Sequence, residues 1–398
     1  MKKILFLILC LFPMFIFSET FRFKYIEGQK QKIECTIQGE QYINGVFNLS
    51  YSQEYKTIST VMSYKDGFAD LADTYYYYHL NKFYNYEVKE IKNLVDVTYK
   101  KDQIGRMIIK LSYNLPTLRN IPAFPEENIE PNYKWQTNGL EVQDLFGDNV
   151  ISTFPIDVEY QFVGYEQLDN KNIAKFIYQY SVDITNDTGD GIDPRILQVK
   201  GISKTIMYFD NETGSRIKEE YERNYLFLIT TDNIMTNEVE FVDKGTRIWH
   251  PIELMQKDDI IKDLKQELKD QNIENTTVEK DDKGIKISLE NILFEPNSTK
   301  FLAEEEKRLI KIADILKKYK DRGVMIEGHT TDRGTEEGRK KLSLERSKVV
   351  GDFLIKENAI DKNKTYYLGS GGTKPIGDNQ TEEGLKRNRR VEIYILED

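Results

Sequence analysis

Thr330, Thr331, Asp332 and Arg333 stand together in one polar, glycine-marked turn, "EGHTTDRG", between a short apolar run and a long helical pattern. A lone Arg346 lies on the inner edge of that helix, and Asn388, Arg389 and Arg390 follow one another near the C-terminus. None of these residues is a nucleophile with a base beside it, so the turn is built to grip rather than to react. Taken singly, Arg346 is a solvated helix arginine and Asp332 an ordinary turn former. Only their order and spacing raise a sharper reading. His79, His250 and His329 are far apart in sequence, so spacing defines no metal cluster. His329, between strand and turn, reads as a packing residue. A cell-wall hydrolase would need a nucleophile, a metal site or a paired-carboxylate cleft, and the sequence assembles none. The reading is non-enzymatic, with no cofactor and no metal.

The 398 residues suffice for two or three domains. Lys2 and Lys3 precede an apolar run from Ile4 to Phe17, too short to span a bilayer comfortably and suited to a signal peptide over 1–18. An uncleaved anchor is the alternative. Leu9 stands before Cys10 where a lipoprotein needs a small residue, which argues against acylation. Cleavage leaves Cys35 as the one cysteine, expected as a small buried apolar residue. With 56 basic and 66 acidic residues, a net of −10, and no basic block, nucleic acid is a poor partner.

Residues 19–250 read as β structure. "NIAKFIYQYSV" puts Ala174, Phe176, Tyr178, Tyr180 and Val182 on one face, the period of a half-buried strand. A hairpin turns at Asp210 to Ser215. Pro116, Pro122, Pro125 and Pro131 fall within sixteen residues, which no central strand tolerates. This stretch is either a long ordered crossing, the preferred reading, or a boundary splitting the region near 115–150. In "RIKEEYERNY" both faces carry charge, which speaks for a soluble β-sandwich or half-barrel and against an outer-membrane barrel.

A linker helix follows over 251–275, with Ile260, Ile261, Leu264 and Leu268 at helical spacing. From 276 to 398 strands and helices alternate. The strands are Ile285 to Leu289, Val324 to Glu327, Tyr366 to Leu368 and a last one with Val391, Ile393 and Ile395 inward. A helix from about Ser298 to Lys320 presents Leu302, Leu309, Ile312, Ala313 and Leu316, and one from Glu336 to Glu357 buries Leu342, Val349, Val350, Phe353 and Leu354. The fold class is multidomain: an all-β domain, then a two-layer α/β unit of βαβαβ type.

"NILFEPNS", "IEGHTTDRG", "LSLERSKVV" and "DNQTEEGLKRNRRVEI", in this order across about 120 residues, resemble the OmpA-like peptidoglycan-binding domain of outer-membrane protein A, peptidoglycan-associated lipoprotein and flagellar stator subunits. The 119–142 stretch is more weakly similar to an N-terminal β region of longer envelope proteins. The resemblance implies non-covalent binding of the diamino acid of the peptidoglycan stem peptide, an Asp holding its ammonium and an Arg its carboxylate. The Arg falls on Arg346, Asn388 and Arg389 would reach the site, and the polar residue after the first strand is Asn297. Where the family has Asp this chain has Thr331, with Asp332 one place later, and Leu385 replaces a usual Arg. The implied location is the periplasm or outer membrane, with peptidoglycan as partner and envelope proteins as further partners of the β region. The alternatives are a scaffold that has lost the ligand, or a membrane barrel with a wall anchor. A stator subunit needs a transmembrane helix carrying a carboxylate, and Ile4 to Phe17 has none.

Overall fold

The computed structural model describes residues 18–83, 86–187, 191–231, 235–292 and 301–397. The signal-peptide expectation and Asn297 therefore lie outside the described residues.

Long alternating runs fold the N-terminal region into a single antiparallel sheet. Its strands are β1 (Lys30–Ile43), β2 (Val46–Lys65), β3 (Phe68–Phe83), β4 (Tyr86–Asp102), β5 (Met107–Ile108), β6 (Leu118–Arg119), β7 (Lys134–Gln143), β8 (Ser152–Leu168), β9 (Lys171–Thr185), β10 (Ile196–Asp210), β11 (Ser215–Thr231) and β12 (Met235–Pro251). The ladder runs β6-β7-β8-β9-β10-β11-β12-β1-β2-β3-β4-β5, and among the described residues no pairing joins β5 to β6. The sheet is an open half-barrel. Ala174, Phe176, Tyr178, Tyr180 and Val182 all point inward and are buried, as their alternation requires.

Chain from two places fills the concave side. Residues 19–25 bring Phe21 and Phe23, and the proline-rich stretch brings Ile121, Phe124 and Ile129. Phe21 meets Phe176 edge to face at 4.9 Å, and Phe124 meets Phe209 at 4.9 Å. The prolines thus mark an ordered crossing through the interior. The outer face carries exposed Asp157, Glu159, Lys200, Lys204, Glu222 and Lys244.

Two inner-face arginines share one buried acid. A bulge between Arg216 and Lys218 breaks the two-residue period, so Arg216 joins Glu219 inside. Fully buried Glu219 accepts from Arg216 (3.2 Å) and Arg247 (3.1 Å).

The C-terminal region begins with α1 (Lys257–Asp270), which packs Leu264 and Leu268 into the core of the α/β unit. Then come β13 (Thr276–Asp281), β14 (Gly284–Leu289), α2 (Ala303–Leu316), β15 (Val324–His329), α3 (Glu336–Lys356), β16 (Thr365–Gly371), α4 (Glu382–Asn388) and β17 (Val391–Leu396). The order is β13-β14-β17-β15-β16, with β15 and β16 parallel. Two helical expectations are corrected. Leu302 is 41% exposed, because it is the extended residue before α2 begins. Leu342, Val349 and Phe353 are half-buried, because α3 turns Ser343, Ser347 and Gly351 inward instead. Small residues let the helix lie close: a Cβ on Gly328 would come within 2.0 Å of the Ser343 carbonyl oxygen.

The two regions share one sheet. β16 pairs in parallel with β4 at Tyr366↔Lys89 and Tyr367↔Glu90, Tyr78 packs on Tyr366, and Lys30 and Lys257 both bind Glu397.

Candidate functional site

The turn after β15 is shaped by its own backbone. Thr330 N–H donates to Gly371 O (2.8 Å), and the 371–372 backbone packs so closely that a Cβ on Gly372 would sit 2.7 Å from the Thr331 carbonyl oxygen. Thr335 caps α3, its hydroxyl accepting from Gly338 N–H. Arg339, one turn into α3, donates to the carbonyls of Asp332 (3.0 Å) and Gly334 (2.5 Å). These bonds hold the turn while the Asp332 carboxylate points to solvent, with no polar partner among the described residues. Thr331 is half-buried beside it.

Arg346 lies two helical turns beyond Arg339, about 10 Å further along the same face. Burial, and then the neighbouring Arg389, push its guanidinium below the ordinary arginine value. Arg389 is the half-buried residue that ends α4. The fold therefore brings Arg389, at the end of α4, near enough to Arg346 on α3 for their like charges to act on each other.

Asn388 has a different task from the one expected. Its Oδ1 accepts from Ile376 N–H (2.8 Å) and Gly377 N–H (2.9 Å), and its Nδ2 donates to Gly377 O (2.8 Å) and Asn379 Oδ1 (2.8 Å). All its bonding capacity is spent on the 376–379 loop, so it positions that loop. Leu385 is buried in α4.

Sequence reading misses a buried ionic network on the other face of this sheet. Glu327 and Glu392 are directly opposite on β15 and β17, a repulsive pairing if left alone. Arg390 donates to Glu392 (2.7 Å) and to Lys374 O (3.1 Å), and Tyr394 O–H donates to Glu392 (2.6 Å). Lys374 binds Glu327 at 2.6 Å, and Ser370 O–H also donates to Glu327. His329 Nε2 lies 3.2 Å from Glu392 and 3.7 Å from Glu327, at ion-pair distance but without hydrogen-bond alignment. Burial pushes both carboxyls up. The approach of His329, with Arg390 and Tyr394, outweighs it and holds Glu392 far below the usual range. His329, Lys374 and Ser370 likewise hold Glu327 below. The three acceptors of Glu327, His329 and Glu392 lie within 4.8 Å of one another, close enough for a cation. Arg390 and Lys374 already neutralise the two acids, so a divalent ion would have to displace them. The signal was present as the alternation Arg390, Glu392, Tyr394, which puts Glu392 and Tyr394 on one face of β17 with Arg390 just before the strand.

Residues 293–389 match the OmpA family. Outer membrane porin F of Pseudomonas aeruginosa is 32% identical over 105 residues, 26% of this chain and 30% of the porin. Peptidoglycan-binding protein ArfA of Mycobacterium tuberculosis is 34% identical over 104 residues, 26% of this chain and 32% of its own. The chain thus spans about a third of either relative. A solved outer membrane protein from Borrelia burgdorferi is 40% identical, covering 30% of this chain and 96% of its own, with a TM-score of 0.26. The C-terminal region of this chain is an OmpA-like domain.

Proposed function

We propose that the OmpA-like domain binds peptidoglycan non-covalently through the diamino acid of its stem peptide, and that the chain is a non-enzymatic protein of the cell envelope. The observation that carries this reading is the pairing of half-buried Arg346 with Arg389. Arg389 acts on Arg346 as a like charge, and the planar forks of two guanidiniums match a carboxylate. A relative of the same domain type is named for peptidoglycan binding, which supports the ligand class. In this reading Arg346 takes the carboxylate, Arg389 adds a second cation, and Asp332 with Thr331 faces the ammonium. Asn388 keeps the neighbouring loop in place.

The half-barrel is read as periplasmic rather than membrane-spanning, since its ladder is open and its outer face is charged. A lysine facing lipid near mid-bilayer would cost about 2–4 kcal/mol. The test is a pull-down of the full chain on purified peptidoglycan. Wild type should be retained and Arg346→Ala released, with unchanged circular dichroism. Equal retention of both would exclude Arg346 as the anchor. No retention of wild type would leave a scaffold role in its place.

A further inference from the structure

The half-barrel holds a cavity of about 450 Å³ on its concave side, apart from the OmpA-like domain. Its volume falls within the range of small-molecule sites, about 300–1,000 Å³. Strands β1 to β4, β11 and β12 wall it, and the 114–118 stretch covers one side. The wall mixes polar side chains with aromatic ones, Tyr55, Tyr75, Tyr77 and Trp249 among them.

Two buried polar groups face this space without the partners that burial demands. Lys101 is 6% exposed, and its ammonium lies 4.0 Å from the centre of the Phe23 ring. Among the described residues no carboxylate comes within ion-pair distance of it. Asp73 is 4% exposed; its Oδ2 accepts from Tyr99 O–H (2.9 Å), while its Oδ1 has no hydrogen-bond partner. A buried charge without a partner is expensive, and natural interiors retain one where something completes it.

The charges around the space are unequal. Lys101, Arg216 and Arg247 line it, against Glu219 and Asp73. Glu219 is already shared between the two arginines. Burial pushes the Asp73 carboxyl up, towards its neutral form. Arg223 is paired with Asp243 at 2.6 Å and takes no further part. Lys24 and Asp144 are more exposed, and each is tied to backbone groups. The interior therefore carries surplus positive charge beside an aromatic wall.

We propose that the half-barrel cavity is a binding site for an amphiphilic organic anion, with its carboxylate or phosphate head on Lys101 beside Arg216 and its apolar body against Tyr55, Tyr75, Tyr77 and Trp249. The site is separate from the wall-binding domain and does not rest on its ligand.

The test uses decanoate, decyl phosphate and neutral decanol, each below its aggregation threshold, with the full chain and isothermal titration calorimetry. Wild type should bind both anions at least tenfold more tightly than decanol. Tighter binding of decyl phosphate assigns a phosphorylated ligand, and tighter binding of decanoate assigns a carboxylate. Lys101→Met should abolish the preference for anions and leave decanol binding unchanged, while Lys101→Arg should restore it. The wild-type comparison stands whether or not the variants fold. Equal affinity for anions and decanol, no binding of any of the three, or an undiminished preference in a folded Lys101→Met chain would overturn the proposal.

Discussion

The ion pair of Arg390 and Glu392 offers a quantitative test of the buried network. Arg390 is 2% exposed and Glu392 4% exposed, with 2.7 Å between the guanidinium Nε and the carboxylate. Removing one member strands the other charge away from water. Glu392→Leu leaves Arg390 with only the Lys374 carbonyl as acceptor, and Arg390→Met leaves Glu392 to His329 and Tyr394. Breaking a buried pair in this way costs about 3–5 kcal/mol. The double variant strands neither charge, and Glu327 keeps Lys374. It should therefore be less destabilised than the two single losses summed, with a coupling of about 2–3 kcal/mol. Urea unfolding followed at 222 nm isolates the relevant half, because α1 to α4 all lie there. Additivity within about 0.5 kcal/mol would refute the pairing and make His329 the group that holds Glu392.

Three further outcomes rest on named contacts. Glu327 and Glu392 are held below their ordinary value by Arg390, Lys374 and His329, so their stabilisation is complete above the unfolded value, about pH 4.3, and is lost as pH falls below it. The urea midpoint of the helical signal should drop across that window, and a flat acid profile would contradict the assignment. Asn388→Ala removes four hydrogen bonds from the 376–379 loop at about 1–3 kcal/mol, so exchange at Ile376 and Gly377 should quicken while β15 amides stay protected. Lys101, facing Arg216, Glu219, Asp73 and Asp102, is pushed down by burial to about 7. The unfolded chain then binds the extra proton above pH 7, so this lysine makes stability rise from there towards about pH 10.4. Lys101→Met should flatten that rise in melting temperature, and an unchanged slope would count against it.

What can be read from the sequence is what periodicity encodes. The inward face of β9 is legible because alternation is local, and so is the order of strands and helices after 276. The inner face of α3 is not, because Ser343, Ser347 and Gly351 are buried for their size and hydropathy does not mark them. Period alone puts Arg216 on the wrong face, since a bulge is invisible without its partner strand. The join of β4 to β16 pairs residues far apart in the chain, and no local pattern announces it. At the candidate site, motif order singles out Arg346 and Arg389, and the fold sets them together. The task of Asn388 is hidden because it depends on the path of a loop ten residues upstream.

The most direct test of wall binding through a carboxylate is competition. Protein retained on purified peptidoglycan is challenged with free stem peptide containing the diamino acid, and with the same peptide amidated at its carboxylates. Losing a charge-assisted contact to a buried guanidinium costs about 2–5 kcal/mol, at least about a thirtyfold loss in affinity. The free peptide should release the protein, and the amidated peptide should need at least about thirty times the concentration. Release by both at the same concentration, or by neither, would contradict carboxylate recognition by Arg346 and Arg389.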